Sequence, residues 1–390
     1  MAPLATGSRA RPEEGMDGSS APALVHDYLL VMRGAERTFA AMADCWPESP
    51  IYTLLYDHAG TGGQFADRTV ETSYLQRLGI GQSGFRRLLP LFPRAVESLD
   101  VQDHDLIISS SSAFAHGVRK HPDAVHVCYC YTPFRYAWHE WARGIEEVPR
   151  PLRPALRETL RHLRRWDLAA SKRVDHYIAI SEFTRQRIAS FWGRDSSVIY
   201  PPVETERFYA AEPDDYFLVT AELVRHKLVD QTCEAARRAA VPLKVVGTGP
   251  DLQRLQETYG ETVEFLGRVD DEELTDLYAR ARGVVVANVE EFGIVAVEAQ
   301  AAGRPVITAD EGGARETVID GVTGVHVPLG DVDGFAEAMR YTDFDSFDSD
   351  LIQSHAARFS VAAFKERLTG EVERIASLGR RLASPLARSF

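Results

Sequence analysis

The chain has 390 residues, of which 45% are hydrophobic and 26% are charged, and its formal net charge is −13. This length predicts two domains, and the composition is that of a globular protein rather than of a coiled coil or a disordered chain. The acidic balance argues against a nucleic-acid-binding protein, which needs a basic field. No apolar run reaches the roughly 18 residues of a transmembrane helix, so none is predicted.

The first 22 residues are small and polar and lack the apolar core of a signal peptide. We therefore expect a disordered tail over 1–22 and a cytoplasmic protein. Four cysteines, Cys45, Cys128, Cys130 and Cys233, are too few for a disulfide framework in a chain of this length. We interpret the Cys128-x-Cys130 pair as buried thiols on one face of a strand, since no further Cys or His stands at metal-ligand spacing.

Short apolar runs alternate with helical stretches from about Leu24 onward, which is typical of a doubly wound α/β domain. The first-half strands are predicted at 23–25, 51–54, 106–108, 124–128 and 176–180, with helices at 36–45 and 182–191. A Pro-Pro pair at 201–202 breaks both helix and strand. We therefore predict a first domain over 23–200 and a linker over 201–212.

The alternation restarts after the linker and predicts a second Rossmann-like domain over 213–345. Its strands are predicted at 217–220, 243–247, 263–267, 283–287, 304–308 and 324–328, with helices at 230–239, 252–259, 271–281 and 292–302. The last segment, 346–390, is predicted to form helices that pack back across the domains. Because open α/β sheets bind ligands at the carboxyl ends of their strands, we expect the site in a cleft between the domains.

The sharpest motif runs from Val286 to Val306 and consists of a strand, a turn with two acids, and a glycine that opens an apolar helix. The first N–H groups of such a helix have no partner inside it and form an anion site. Glu290 on the loop and Glu298 in the helix can both reach one elongated ligand, with a sugar near Glu290 and a ribose near Glu298. Alternatively, Glu290 and Glu291 are ordinary acidic residues that the dipole of the helix favours.

This segment resembles the E-x7-E motif of the retaining glycosyltransferases of family 4, which have the two-domain GT-B fold. Further motifs similar to that family's lie at 198–208 (VIYPPVETERF), 265–274 (FLGRVDDEEL) and 312–324 (GGARETVIDGVTG). The first half resembles the O-antigen mannosyltransferase branch of the family, on the segments 26–28, 32–37 and 127–138. The resemblance covers nearly the whole chain from Leu24 onward.

The resemblance implies a transferase that uses a nucleotide-diphospho-sugar, with GDP-mannose as the first choice and UDP-, ADP- or dTDP-linked sugars as alternatives. Glu290 would bind the hydroxyls of the donor sugar, Glu298 the ribose, and Lys227 would neutralise the leaving diphosphate. The further donor-binding residues that it implies are Gly34, Glu222, Arg225, Arg268, Phe292, Gly293, Ile294 and Val295.

Asp27, Tyr131 and Arg135 would line the acceptor side, and Asp27 and Tyr131 would join Glu290 and Lys227 as catalytic residues. The acceptor would be a saccharide, a lipid-linked compound or a small molecule. The expected reaction is a displacement on one face of the sugar without a metal ion, driven by positioning and by charge stabilisation.

Three positions depart from the family pattern. Glu222 stands where the family has an arginine, and either Arg225 replaces that arginine or Glu222 turns away. Tyr131 stands in place of a histidine and is a poor base near neutral pH. Gly34-Ala35 stands in place of a double glycine. These departures keep two further hypotheses open, namely a transferase with an unusual donor or acceptor and a catalytically silent sugar-nucleotide-binding or scaffold protein.

The segment Arg150 to Arg173 carries eight basic and two acidic residues in an otherwise acidic chain. Leu156, Leu160 and Leu163 fall on one face of the helix predicted there. One interpretation is peripheral docking to the anionic inner face of a membrane that holds a lipid-linked acceptor. The other is a solvated face whose leucines pack on their own domain.

Overall fold

The computed structural model describes residues 21–79 and 84–383. The tail predicted over 1–22 falls almost entirely outside the described residues, and so does the end of the predicted C-terminal segment, from 384 to 390. No helix within the described ranges is both long enough and apolar enough to cross a membrane.

Seven parallel strands build the first sheet. In chain order they are β1 (Ala23–His26), β2 (Ile51–Thr53), β3 (Val70–Thr72), β4 (Leu106–Ser111), β5 (Val125–Cys130), β6 (His176–Ala179) and β7 (Ser196–Val198). In space their order is β3-β2-β1-β4-β5-β6-β7. The sequence pattern missed β3 and β7, because these three-residue edge strands (VET and SSV) have no apolar run.

Helices cover this sheet, and they are α1 (Gly34–Ala43), α2 (Phe92–Glu97), α3 (Trp141–Glu146), α4 (Arg153–Ser171) and α5 (Glu182–Trp192). On α4, Leu160 and Leu163 are 1% and 0% exposed in the core of this domain. The apolar face of the basic helix therefore packs on its own domain and is not free to enter a membrane.

Six parallel strands build the second sheet. They are β8 (Phe217–Thr220), β9 (Leu243–Val246), β10 (Val263–Gly267), β11 (Gly283–Val286), β12 (Val306–Ala309) and β13 (Gly324–Val327). Their spatial order is β10-β9-β8-β11-β12-β13. The helices of this half are α6 (Val229–Ala239), α7 (Leu252–Tyr259), α8 (Asp271–Arg280), α9 (Ile294–Ala301), α10 (Ala314–Thr317), α11 (Val332–Tyr341) and α12 (Ser349–Ala356).

Both sheets are doubly wound, since the strand order reverses between β1 and β4 in one and between β8 and β11 in the other. The predicted α/β fold with two Rossmann-like domains is confirmed. Ligands of such sheets bind where the strand order reverses, which places the site on the loops after these strands.

The chain crosses between the two sheets twice. The first sheet ends at Val198 and the second begins at Phe217. The last helix, α13 (Val361–Ala383), then returns to the first domain and contacts β5 and α1, whereas α12 stays on α9. Phe364 of α13 packs its ring 5.6 Å from that of Tyr129 on β5.

Candidate active site

A cavity of about 840 Å³, here called the cleft cavity, lies between the two domains. The first domain lines it with the loops after β1 and β5, including Gly34, Tyr131 and Arg135. The second domain lines it with Lys227 and Glu290, from the loops after β8 and β11. The fold therefore brings predicted site residues of both domains to one space at the carboxyl ends of the strands.

Glu290 forms the polar centre of the second domain's side. Its Oε1 lies 2.5 Å from Nζ of Lys227 and accepts a hydrogen bond of 2.8 Å from Nδ2 of Asn288. The side chains of Lys227 and Glu290 are 25% and 22% exposed, so both remain accessible from the cavity. Lys227 has three N–H donors and spends one on this contact, which leaves two for an anionic ligand.

Two glycines hold the loop of Glu290 in place. The N–H of Gly313 donates to the carbonyl oxygen of Glu290 at 2.7 Å, and a Cβ on Gly312 would lie 2.6 Å from that same oxygen. Gly312 also has φ +80°, which side chains rarely adopt. The Gly-Gly motif thus allows the backbone approach that positions Glu290.

The start of α9 lies at the junction of two cavities. Gly293 has φ +96° and precedes the helix, and the N–H groups of Ile294 and Val295 have no partner within it. A second cavity of about 690 Å³, here called the hinge cavity, contains Glu298. Gly34, Ile294 and Val295 line both cavities, so an elongated ligand can pass over the helix start from Glu290 to Glu298.

Glu298 is held by a chain of hydroxyl groups. The hydroxyl of Tyr278 donates to Oε2 of Glu298 at 3.0 Å and lies 2.7 Å from Oγ1 of Thr220. Burial raises the pKa of Glu298, although Tyr278 and the nearby Arg207 and Arg37 act to lower it. The carboxyl group is therefore fixed in orientation and faces a cavity that is also lined by three arginines, Arg33, Arg37 and Arg207.

The hydroxyl of Tyr131 is engaged in hydrogen bonds on the protein side and holds a neighbouring turn in place. It donates to the carbonyl oxygen of Ala35 at 2.9 Å, and its oxygen lies 2.9 Å from Oγ of Ser110, which in turn lies 3.0 Å from Nδ1 of His26. Burial raises the pKa of Tyr131 well above its usual value. Tyr131 therefore lines the cavity while holding the turn that carries Gly34 and Ala35.

Asp27, which was predicted to be a catalytic residue of the acceptor side, lies behind the loop that follows β4. Its carboxylate is buried, with 1% exposure of the residue. It accepts four hydrogen bonds of 2.6–3.0 Å from the backbone N–H groups of 112–115 and one of 2.8 Å from Oγ of Ser112. These contacts fill the carboxylate, so Asp27 shapes the loop after β4 and leaves no lone pair directed at a ligand.

Arg135 contacts an acid that the sequence analysis treated as an alternative. Its Nη2 lies 3.6 Å from Oε1 of Glu291, which also lies 3.3 Å from Nη1 of Arg187. Burial alone would raise the pKa of Glu291, but Arg135 and Arg187 outweigh it, and the pKa falls below its usual value. Glu291 is therefore an interdomain ion-pair partner rather than a simple charge at a helix start.

Glu222, which stands where the family has an arginine, contacts an arginine of the other domain. Glu222 lies 3.8 Å from Nη1 of Arg33, which belongs to the first domain and lines both the cleft and hinge cavities. Arg225 points instead to Asp251, at 4.0 Å, with its side chain 88% exposed. Neither Arg225 nor the exposed Arg268 lines these two cavities, so the structure gives no support to Arg225 as the substitute or to Arg268 as a donor contact.

The two domains also meet beside the cleft. Glu316 of the second domain accepts hydrogen bonds from the backbone N–H groups of Glu182 and Phe183, at 2.7 and 2.8 Å, and so caps α5 of the first domain. Oγ of Ser181 donates to the carbonyl oxygen of Glu291 at 2.6 Å. Phe292 stacks its ring on Tyr200 with 5.6 Å between centroids, so that ring belongs to the interdomain contact.

Sequence reasoning did not find Asn288, Tyr278 or Arg33. Asn288 stands two residues before Glu290 in the same motif, so its position was a usable signal. Tyr278 lies on α8, 20 residues from Glu298, and only the packing of α8 against α9 brings the two side chains together. Within the part of the chain that the structure describes, no group of three or more His, Cys, Asp or Glu side chains is placed to hold a metal ion.

Two family models match adjacent parts of the chain. Glycosyltransferase Family 4 matches residues 32–207, and Glycosyl transferases group 1 matches residues 204–343. Together they cover residues 32–343, which include most of both Rossmann-like domains and most of the residues that line the cleft cavity. The chain therefore belongs to the family 4 glycosyltransferases, with the GT-B fold.

The curated relatives include two mannosyltransferases. A GDP-mannose-dependent alpha-(1-6)-phosphatidylinositol monomannoside mannosyltransferase of Mycolicibacterium smegmatis is 35% identical over 195 residues, which are 41% of this chain and 50% of the relative. A monoacylated-lipid counterpart of Corynebacterium glutamicum is 31% identical over 227 residues, 50% of this chain and 57% of the relative. The chain thus spans about half the length of these relatives.

Solved structures share the fold. Anabaena HepE in complex with UDP superposes with a TM-score of 0.68 at 17% identity, covering 90% of this chain and 100% of that one. Sucrose-phosphate synthase from Thermosynechococcus elongatus gives a TM-score of 0.67 at 17% identity, covering 92% and 99%. At this level of identity the likeness concerns the fold alone.

Proposed function

We propose that this chain transfers a hexosyl group, with mannose as the first choice, from a nucleotide-diphospho-sugar to a hydroxyl of an acceptor, with retention of configuration. The observation that carries the proposal is the placement of Glu290 and Glu298 on opposite sides of the α9 start, in two connected cavities. Glu290 would bind sugar hydroxyls, Glu298 the ribose hydroxyls, and the N–H groups of Ile294 and Val295 the diphosphate between them.

The proposed reaction is a displacement on the face from which the diphosphate leaves. The acceptor oxygen bonds to the anomeric carbon as the bond from that carbon to the phosphate oxygen breaks, and the departing phosphate oxygen takes the acceptor proton. The products are the glycosylated acceptor and a nucleoside diphosphate. Lys227 and the helix start would stabilise the charge that develops on the leaving group, so we expect turnover without added metal.

We propose that Arg33 of the first domain is a second cation for the diphosphate. The sequence had suggested Arg225 of the second domain for this role. Its guanidinium lines both cavities beside Gly34, next to the α9 start. A planar cation with several donors suits a diphosphate. In the free protein Oε2 of Glu222 lies 3.8 Å from Nη1 of Arg33. A bound diphosphate would compete with that carboxylate for the guanidinium.

GDP-mannose is our first choice of donor because both mannosyltransferase relatives are described as GDP-mannose-dependent. The binding screen also includes nucleotides with other bases, since no side chain in the described part of the chain identifies the base. The acceptor would enter from the first domain, past Arg135 and Tyr131, and would be a saccharide, a lipid-linked compound or a small molecule.

For membrane contact we propose an electrostatic form only. Leu160 and Leu163 of α4 are buried in its own domain, but Arg157, Arg161 and Arg165 are exposed on its outer side. Such a row of arginines would bind anionic lipid, and the binding would weaken as salt screens the charges. Flotation with anionic and neutral vesicles at two salt concentrations tests this, and binding that is absent with anionic vesicles at low salt would contradict it.

The test of the function is a thermal-shift screen without metal against GDP, UDP, ADP, dTDP and their common sugars, followed by a transfer assay. A nucleotide that binds the folded protein raises its melting temperature by mass action. We expect a shift with GDP that is lost in Glu298→Gln and kept in Glu257→Gln, an exposed control on α7. No shift with any nucleotide would contradict the proposal, and a shift without turnover would favour the catalytically silent alternative.

A further inference from the structure

A third cavity, of about 480 Å³, lies inside the first domain beside the cleft cavity. Six aromatic rings follow one another along its wall, in the order Tyr28, Phe85, Phe92, Phe114, Phe134 and Tyr136. The centroids of successive rings lie 4.9, 6.4, 5.2, 5.1 and 6.0 Å apart, so each ring contacts the next. We call this space the aromatic cavity.

Helix α4 and a glycine complete the wall. Leu156 and Leu160 of α4 face the cavity, Leu160 as a buried residue and Leu156 as a half-buried one. Gly144 on α3 also lines it, and a Cβ there would lie 2.7 Å from Cδ1 of Tyr136. The glycine thus makes room for the sixth ring. Aromatic and aliphatic side chains form most of the wall, and Ser112, Arg135 and Glu147 are its other polar or charged members.

The aromatic cavity opens toward the cleft cavity. Tyr28, Phe85, Ser112 and Arg135 line both spaces, so they form the junction between them. Ser112 and Arg135 place polar groups at this junction, whereas Glu147 lines the aromatic cavity alone. A molecule that presents a hydroxyl toward Glu290 can therefore place its remote end between the rings.

We propose that the aromatic cavity binds a compact apolar aglycone of the acceptor, one that carries an aromatic or fused-ring body. This inference rests on the proposed transferase function and adds the substrate class. A bare saccharide suits the cavity less well, because the hydroxyls that face the six rings would lose water without gaining partners. Rings of a ligand would instead pack edge-to-face or offset against the six wall rings.

The size of the cavity accommodates a compact ring body, and its ring walls favour such a body over a chain. A space of about 150 Å³ holds one benzene ring, so about 480 Å³ suffices for two or three fused rings. Aromatic walls also offer flat surfaces to flat partners. A long acyl chain is therefore the competing occupant, and the test includes it.

The experiment measures binding directly by calorimetry and does not depend on transfer. The probes are 4-methylumbelliferyl α-mannoside, methyl α-mannoside and dodecyl α-mannoside, which share one sugar and differ in the aglycone. We expect the aryl glycoside to bind at least ten-fold more tightly than the methyl glycoside. Equal binding of these two, or tighter binding of the dodecyl glycoside than of the aryl one, would overturn the proposal.

Variants locate the binding to the aromatic cavity. Leu156→Asp puts a charge in its wall and should abolish the preference for the aryl glycoside, whereas Leu168→Asp, the same change at a 37%-exposed position of α4, should keep it. Leu156→Trp fills the cavity without a charge and should act like Leu156→Asp, which covers the case that the aspartate variant fails to fold. An aryl preference that survives both Leu156 variants would place the ligand elsewhere.

The nucleotide screen separates this inference from the proposed function. If GDP or another nucleotide raises the melting temperature while the aryl glycoside binds no better than the methyl one, only the aglycone assignment fails. If no nucleotide binds, the transferase function fails, and any aryl binding then identifies a site of another kind, which also overturns the proposal as an acceptor site.

Discussion

Nζ of Lys227 lies 2.5 Å from Oε1 of Glu290. Lys227 follows β8 and Glu290 follows β11, and these strands are three apart in sequence order but adjacent in the sheet. The cation proposed for the diphosphate and the acid proposed for the sugar therefore hold each other in the free protein. Each side chain keeps the other oriented toward the cleft cavity before any ligand binds. Removing either one changes two parts of the site.

Lys227→Ala should lower kcat/KM for the donor by about 100-fold or more, because it removes the cation at the leaving group and releases Glu290. The melting temperature should change little, since both side chains are partly exposed. Steady-state kinetics and a thermal melt check this. Lys244→Ala is the matched control, because Lys244 also faces a carboxylate, Glu264, at 3.8 Å but away from the cleft. An equal loss of kcat/KM in the two variants would contradict the assignment of Lys227 to the active site.

Tyr131→Phe should raise KM for the donor several-fold and leave kcat within about 3-fold, because a general base would account for a 100-fold or larger loss. The hydroxyl holds Ala35, and burial keeps it protonated, so its loss loosens the turn at Gly34 without removing a proton acceptor. The kcat and KM values across pH 6–9 are the measurement. Tyr129→Phe, which loses a buried hydrogen bond to Ile199, serves as control. A kcat collapse specific to Tyr131→Phe would assign it a chemical role.

Glu222→Ala should strengthen the binding of a nucleoside diphosphate, and Arg33→Ala should weaken it. The carboxylate competes with the ligand for Arg33, and both side chains are more than half exposed, so we expect changes of about 2- to 10-fold that shrink at high salt. Calorimetric titration of GDP at two ionic strengths checks both. Glu264→Ala is the control for a lost surface carboxylate. Weaker binding in Glu222→Ala would show that Glu222 itself contacts the ligand.

Asp27→Ala should destabilise the protein by about 3 kcal/mol or more, because it leaves four backbone N–H groups of 112–115 without their acceptor. In a domain of this size that lowers the melting temperature by about 6 °C or more. Asp57→Ala, which loses one exposed hydrogen bond to Gly60, should shift it far less. A stable Asp27→Ala protein that has lost only activity would restore the catalytic interpretation.

The pH dependence of stability should report His126. Burial lowers its pKa to about 3 from 6.5, and Nδ1 has no hydrogen-bond partner. The unfolded chain therefore binds a proton between pH 6.5 and 3 that the folded chain does not, so stability falls on acidification. His126→Asn should reduce this slope by about 1.4 kcal/mol per pH unit between pH 6 and 4. The exposed His121→Asn should not, and an unchanged slope in both would mean that His126 titrates normally.

The elements with strong local patterns were predictable and the ones with weak patterns were not. The apolar runs at 217–220 and 263–267 coincide with β8 and β10, because each strand is continuously or alternately apolar. The edge strands at 70–72 and 196–198 carry polar residues and acquire their conformation from pairing with a neighbour. A sequence of only three residues carries no pattern that would predict such pairing with a neighbouring strand.

The candidate site divides in the same way. Glu290, Glu298 and the α9 start lie within one motif of strand, loop and helix, so spacing alone placed them together. Arg33 reaches Glu222 from the other domain, and no sequence spacing encodes that contact. Asp27 follows β1 as an active-site aspartate would, but only the fold shows that the loop of 112–115 occupies its oxygens.

The cap that Glu316 places on α5 ties ligand exchange to residues outside the cleft. Separation of the domains would expose the two N–H groups of Glu182 and Phe183. It would also remove both backbone donors from the half-buried carboxylate of Glu316, which has a further hydrogen-bond partner in Tyr200. We therefore expect the residence time of a bound ligand to depend on Glu316, which lines neither the cleft cavity nor the hinge cavity. Selection for faster or slower product release can act on this contact while the chemistry at Glu290 stays unchanged.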